Sequence, residues 1–246
     1  MNTHNFNHNV SLSSTFEHRV KPYRNIHKAL RSLMLSHLVK IGQLDTEYAA
    51  DKATWSTMIN ELMDVLHSHL SHENVFFHRA IQERAPQAIA RFDRDHAHHE
   101  QAIAALRELV LKADQVPGNQ ARLAYDSYLK ISVFIAENLL HMAEEETALT
   151  EALWQHFSDA EILEIEHQLV ASLTPEENQY FLKLIFPALS HSERLELLTA
   201  MQAGMPAEVF AAVLKLTESV LDAENWQRLQ RHFAFKASNA RSEEVA

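Results

Sequence analysis

His69-Leu70-Ser71-His72-Glu73 returns further along the chain as His141-Met142-Ala143-Glu144-Glu145, and in each unit a glutamate follows a histidine by four residues. Four residues overshoot one helical turn by only about 40°, so on a helix the imidazole and the carboxylate stack on one face and can serve one metal centre. Each unit also sits in an apolar stripe of helical period: Leu62, Leu66, His69, Glu73 and Phe76 around the first, and Phe134, Asn138, His141, Glu145, Ala148 and Ala152 around the second. Ligand-type side chains therefore stand where core residues are expected. Burying an unpaired imidazole with a carboxylate is costly, so two such pairs ask for a cation.

Working outward, the first unit predicts a helix over 54–84, ended by Pro86, because the residue before a proline avoids the α region. Upstream, Pro22 suits a first helical turn and opens a helix over 22–43 with the inner face Tyr23, His27, Leu30, Met34, Leu38 and Ile41. Downstream, a helix over 86–113 aligns His96, His99, Ile103, Leu106 and Val110, and Pro117-Gly118-Asn119 breaks the chain. A fourth helix over 121–156 carries the second unit. Four long amphipathic helices on short loops predict an all-α protein with an up-down-up-down four-helix bundle over 16–156, after a loose arm at 1–15. Counted from the helix ends, His27 comes level with His69 and Glu73 with His96, while His141 falls about a turn away.

Beyond Trp154 the texture changes. Ser158 with Glu161, Thr174-Pro175 with Glu177, and Ser190 with Glu193 have capping-box spacing and mark short helices, followed by a segment near Pro206 and a last one holding Trp226, Leu229 and Phe233. Residues 157–235 read as a C-terminal appendage of short helices that packs on the bundle or joins two copies as a homodimer, and 236–246 as a frayed tail.

Composition narrows the chemistry. Cysteine is absent, which excludes disulfides, thiolate metal sites and thiol nucleophiles, so a metal must be held by nitrogen and oxygen. With 22 Lys and Arg against 33 Asp and Glu, the net charge of -11 attracts neither nucleic acid nor an anionic membrane. The start lacks a basic segment and an apolar run, and no stretch approaches a bilayer span, so a soluble, cytoplasmic protein is expected. Histidine is the outlier: of 17, thirteen precede residue 150.

The candidate metal ligands are His27, His69, Glu73, His96, His141 and Glu145, with His99 or Glu100 as a further one; His99 follows the apolar stripe and Glu100 repeats the four-residue spacing. His67, His72, His78 and His98 fall on other helix faces, and His37 on a flank. Imidazoles with carboxylates suit first-row transition metals: iron, and equally zinc, manganese or nickel.

The order His, His-x-x-x-Glu, His with a nearby His, His-x-x-x-Glu resembles the hemerythrin-like, or HHE cation-binding, domain, over about residues 16 to 156. Tyr23-Arg24-Asn25-Ile26-His27-Lys28-Ala29-Leu30-Arg31, Asp95-His96 and the second unit are similar to that family's helix signatures. The resemblance implies a non-haem di-iron centre, with an oxo or hydroxo bridge between the ions. His27 and His69 would hold one iron, His96, His141 and His99 the other, and Glu73 and Glu145 would bridge. The spacing of the last unit is one residue shorter than in oxygen carriers and is similar to that of bacterial stress-response and iron-sensing members. Six or seven protein ligands leave positions free on two six-coordinate irons, so the expected function is binding or sensing of oxygen, nitric oxide or iron. The alternative is a redox enzyme that reduces peroxide or nitric oxide, or oxidises ferrous iron. Tyr23 and Glu137 are candidates for hydrogen bonding near the centre.

Overall fold

A computed structural model describes residues 19–115 and 120–231. The expected arm at 1–15, the break at Pro117-Gly118-Asn119, the residues Phe233 and His232, and the tail at 236–246 lie outside the described residues. Among the described residues the chain is helical, without strands, as three glycines and six prolines in 246 residues suggest. No helix among them is long and apolar enough to cross a membrane.

Four long helical stretches come first. Helix α1 spans Arg24–Ile41; α2 spans Ala49–Glu73 and runs on through a π-helical turn, Asn74–His78, into α3, Arg79–Arg84. After Ala85, α4 spans Pro86–Gln115; α5 spans Gln120–Glu144 and passes through a second π-helical turn, Glu145–Leu149, into α6, Thr150–His156. Helix α1 packs against α2 and α5, and α4 packs against the same two, so each long stretch has two lateral neighbours. Helix α4 extends to Gln115 and α5 begins at Gln120, so His96 lies 19 residues before the one end and His141 lies 21 after the other, which narrows the mismatch counted from the sequence without removing it. His96 and His141 meet with their Nε2 atoms 2.8 Å apart.

Both π-helical turns begin at or just after the glutamate of a His-x-x-x-Glu unit. A π-helical turn holds one residue more than the α turn it replaces, which advances everything beyond it by about 100°. The buried face accordingly shifts by one residue in both stretches. Phe77, not the expected Phe76, is buried after Glu73; Leu149 and Leu153, not Ala148 and Ala152, are buried after Glu145. In the second turn the Thr150 hydroxyl donates to the Glu145 carbonyl at 2.8 Å, supplying a partner where the widened turn disturbs the backbone ladder.

Two apolar layers result. One is built of Leu30, Met34, Leu62, Leu66, Ile103 and Phe134 with their neighbours. The other is built of Tyr23, Phe77, Ile81, Phe92, Leu149 and Leu153. The expected ligands fall between them along every stretch: His27 between Tyr23 and Leu30, Glu73 between Leu66 and Phe77, His96 between Phe92 and Ile103, Glu145 between Phe134 and Leu149.

The C-terminal helices are α7, Asp159–Ser172; α8, Pro175–Ala188; α9, His191–Gly204; and α10, Ala207–Val220; residues 223–231 are also helical. All three expected capping boxes form: Ser158, Thr174 and Ser190 each accept from the backbone of Glu161, Glu177 and Glu193, whose carboxylates accept in return. Helix α8 lies on α1, and Tyr180, Phe181 and Leu184 join the first apolar layer from outside. A third cluster, Leu182, Phe186, Leu198, Phe210, Val213 and Leu229, holds these helices to one another. Arg194 is buried beside it and donates to the Phe186 and Pro187 carbonyls and to Asn225. Its positive charge thus meets carbonyls left open at the C-terminal end of α8.

Ion pairs fasten α9 to α1: Lys28 to Glu193 at 2.7 Å and Arg24 to Glu196 at 2.8 Å. Partial burial opposes the charge of Glu193, but Lys28 and the Ser190 backbone and hydroxyl prevail and hold its pKa at about 2. A depressed carboxylate contributes stability above its unfolded pKa, and that contribution disappears as pH falls through the folded value. The Lys28–Glu193 pair is therefore expected to stabilise at neutral pH and to fade from about pH 4.5 down to about pH 2. Urea midpoints of wild type and Lys28→Ala should differ at pH 6 and converge toward pH 2; an equal gap at both would contradict the role given to this pair.

Candidate metal centre

His27 enters the space between the apolar layers from α1, and Tyr23, one turn earlier, stacks on its ring at 5.3 Å. The Nδ1 of His27 lies 3.1 Å from Glu146 Oε1, and Glu146 is in turn held by Arg31 at 2.5 Å. A carboxylate only accepts, so this nitrogen carries a proton, and Nε2 faces inward toward Glu73 and Glu145. The same holds on the other side. His78 Nδ1 donates to Asp93 at 2.9 Å and His96 Nδ1 to Asn74 Oδ1 at 2.7 Å. Acceptors outside the centre thus fix three rings in the tautomer that a metal ligand needs.

The inward atoms fall into two groups joined by the two glutamates. His27 Nε2 and His69 Nε2 lie 3.4 Å and 3.3 Å from Glu73 Oε1. His141, His96 and His78 present Nε2 at 3.1, 3.5 and 3.9 Å from Glu145 Oε1. Each carboxylate then crosses to the other group: Glu73 Oε2 lies 3.6 Å from His96 Nε2, and Glu145 Oε2 lies 3.5 Å from His27 Nε2. The donor atoms of His27, His69 and Glu73 lie within 4.8 Å of one another, as do those of His78, His96 and Glu145. Two donors at right angles on an ion about 2.1 Å away are about 3.0 Å apart, close to the shorter separations here.

The donor set is out of balance without a cation. Both oxygens of Glu145 and Nε2 of His78 are buried with no hydrogen-bond partner, and His96 and His141 face each other through Nε2. Buried polar groups are rarely left so, and a metal ion among these donor atoms would satisfy them. The residues present therefore fit a metal.

Electrostatics keep the carboxylates in their ligand form. Burial and Glu145 oppose the charge of Glu73, but His69 and His27 lower its pKa. Burial likewise opposes Glu145, and His141, His78 and His96 hold it well below the usual carboxylate range. Among the imidazoles, burial is overcome at His27 by the bonds to Glu146 and Glu73, leaving its pKa at about 9. Burial prevails at His69 and lowers it to about 4. Glu145 raises His78 and His141 against their burial. Tyr23 is pushed well above its ordinary value by burial and by the charges of Glu73 and Glu145.

Six of the expected ligands, His27, His69, Glu73, His96, His141 and Glu145, are thus brought together at the distances above. His99 is buried with its ring edge-on to His141 at 5.0 Å and to Phe134 at 5.8 Å, and like His141 it is not among the donors that gather within 4.8 Å of one another. Burial and the neighbouring imidazoles lower its pKa to about 3. Glu100 is exposed, and Glu137 pairs outward with His98 at 3.3 Å, away from the centre. His37 is buried in the first layer with its Nδ1 on the Leu33 carbonyl.

His78 corrects the sequence reading. An unbroken α-helix places it about 140° from Glu73, on the face expected to meet solvent. The π-helical turn Asn74–His78 takes up one residue and brings it inward, 3 % exposed. The outer partners Asn74, Asp93 and Glu146 were also missed, since each serves a ring on a different helix and no spacing along the chain reveals it. The phenylalanine pair Phe76-Phe77 before His78 was the available signal, because only one of the two can follow the stripe.

The sequence model of one family, the hemerythrin HHE cation-binding domain, matches residues 18–153. No curated protein and no solved structure matches the chain.

Proposed function

The chain belongs to the hemerythrin HHE cation-binding family, and from that premise we propose that it holds two iron ions and binds or senses a small diatomic, oxygen or nitric oxide, or iron itself. The observation that carries this reading is the crossing of the two glutamates, each with one oxygen toward each histidine group. In this reading His27 and His69 serve one ion, His96 and His141 the other, and Glu73 and Glu145 both. In this reading the described residues up to 156 belong to an up-down-up-down four-helix bundle and those from 157 to 231 to an appendage on its outside, which the neighbours of α1, α2, α4 and α5 and the contacts of α8 support. Iron supplies what the side chains lack, a redox-active Lewis acid that binds a diatomic.

The chain's own groups set the conditions. The carboxylates are ionised, and the ring tautomers are fixed from outside by Glu146, Asp93 and Asn74. The layers of Leu66, Ile103 and Phe134 on one side and Phe77 and Leu149 on the other flank the donors with apolar side chains. Tyr23 keeps its proton, and its hydroxyl is buried with no hydrogen-bond partner, free to donate to a guest beside His27.

Protein expressed with supplemented iron is expected to carry about two irons per chain by mass spectrometry, with near-ultraviolet bands that change on exposure to air. Zinc or no metal, with an air-independent spectrum, would contradict the reading. Binding without product supports a carrier or sensor; steady consumption of peroxide or nitric oxide with a reductant would assign the centre to a redox enzyme.

A further inference from the structure

We propose that His78 is a third imidazole ligand on the ion held by His96, His141 and Glu145, so that the two ions have unequal donor sets. The assignment rests on the two-iron reading above and adds a residue that the paired spacing does not reveal.

Three observations carry it. First, His78 Nε2 is buried without a hydrogen-bond partner, and Glu145 Oε1, at 3.9 Å, is beyond hydrogen-bonding reach. An imidazole nitrogen at this depth among acceptors needs a partner, and an ion between them provides one. Second, the opposite nitrogen is anchored: Nδ1 donates to Asp93 at 2.9 Å, the pattern by which a carboxylate orients a metal-bound histidine. Third, the backbone is built for it. The π-helical turn that follows Glu73 carries His78 round to the ligand face, where its ring lies 4.3 Å from that of His96.

The count then becomes asymmetric. One group offers His27 and His69, the other His78, His96 and His141, and both share the two carboxylates. The group with two imidazoles has the fewer donors, and in it His27 stacks on Tyr23, whose hydroxyl is buried without a hydrogen-bond partner. The group with three borders a surface cavity of about 340 Å3, whose rim carries Gln82, Asp93 and Glu100 and whose floor includes His78 and His96.

The test titrates the full-length chain with ferrous iron under nitrogen, desalts it, counts the iron retained and records the Mössbauer spectrum. Wild type should keep two irons that give two doublets of equal area; a single doublet would overturn the asymmetry. Retention of fewer than two irons by wild type overturns the two-iron reading itself, and this assignment with it. His78→Asn, which can still reach Asp93 but has no Nε2, should keep one iron, with the dissociation constant of the second raised at least about tenfold. His78→Gly should regain the second iron when free imidazole is added through the cavity. A His78→Asn chain that holds two irons as tightly as wild type, with an unchanged spectrum, overturns the assignment. If both variants fail to fold, a single wild-type doublet still overturns the assignment.

Discussion

Glu145→Ala is expected to cut the iron content from two ions per chain to one or none. Glu145 is fully buried and touches both halves of the centre, with Oε1 toward His141 and His96 and Oε2 toward His27. Truncation removes a negative charge and two donor atoms at once, and leaves several imidazoles facing one another. No water-accessible residue stands ready to replace it. Loss of a single outer hydrogen bond to a ligand costs about 10- to 100-fold in metal affinity, so loss of a carboxylate that serves two ions should exceed that. Glu145→Gln keeps the shape and removes the charge, and should fall between wild type and the alanine variant. Metal content after desalting, with circular dichroism to show that the helices persist, is the measurement. Two retained ions in Glu145→Ala would mean that the carboxylate is not a ligand.

Removing the metal should lower the melting temperature by about 10 °C. A ligand that binds only the folded state at about a thousand times its dissociation constant stabilises by about 4 kcal/mol, and 1 kcal/mol moves the midpoint by about 2 to 4 °C in a chain of this size. The structural reason is the position of the donors between two apolar layers. Without a cation, Glu73 and Glu145 stand opposite each other in the interior, and His96 and His141 meet Nε2 to Nε2 at 2.8 Å. With it, one interaction ties α1, α2, α4 and α5 together at mid-height. Scanning calorimetry of chelator-treated and iron-loaded protein checks this. A difference under about 2 °C would point to a bundle that binds metal adventitiously, since an ordinary native site stabilises by more.

The sequence was most legible where a rule acts within one turn. The two His-x-x-x-Glu units and the capping boxes at Ser158, Thr174 and Ser190 depend on residues three or four apart, and all of them form as read. The inner faces of α1 and α4 also follow the expected period, through Tyr23, His27, Leu30, Met34 and Ile41 in one and His96, Ile103, Leu106 and Val110 in the other. Legibility ended at each glutamate, where the helix takes in an additional residue and a constant period no longer applies. Phe76 for Phe77, Ala148 for Leu149, and the omission of His78 are one error made twice, with a single cause. The pairing of Arg24 and Lys28 with α9, and of Asp93 with His78, joins residues from different elements and has no trace in local spacing.

The two widened turns make the number of residues, as well as their identity, a determinant of the centre. Deleting one position from the turn ahead of Phe77 would return a plain α-helix in which Phe77 and His78 stand three and four residues after Glu73 and keep their inward direction, whereas straightening the turn with all five residues kept would swing both by about 100°. The lower apolar layer and the third imidazole would then be lost together, although no ligand had been substituted. A chain one residue shorter after either glutamate therefore reaches the same inward faces on a plain α-helix, and a one-residue gap in these five-residue windows of an alignment does not by itself mark a different centre.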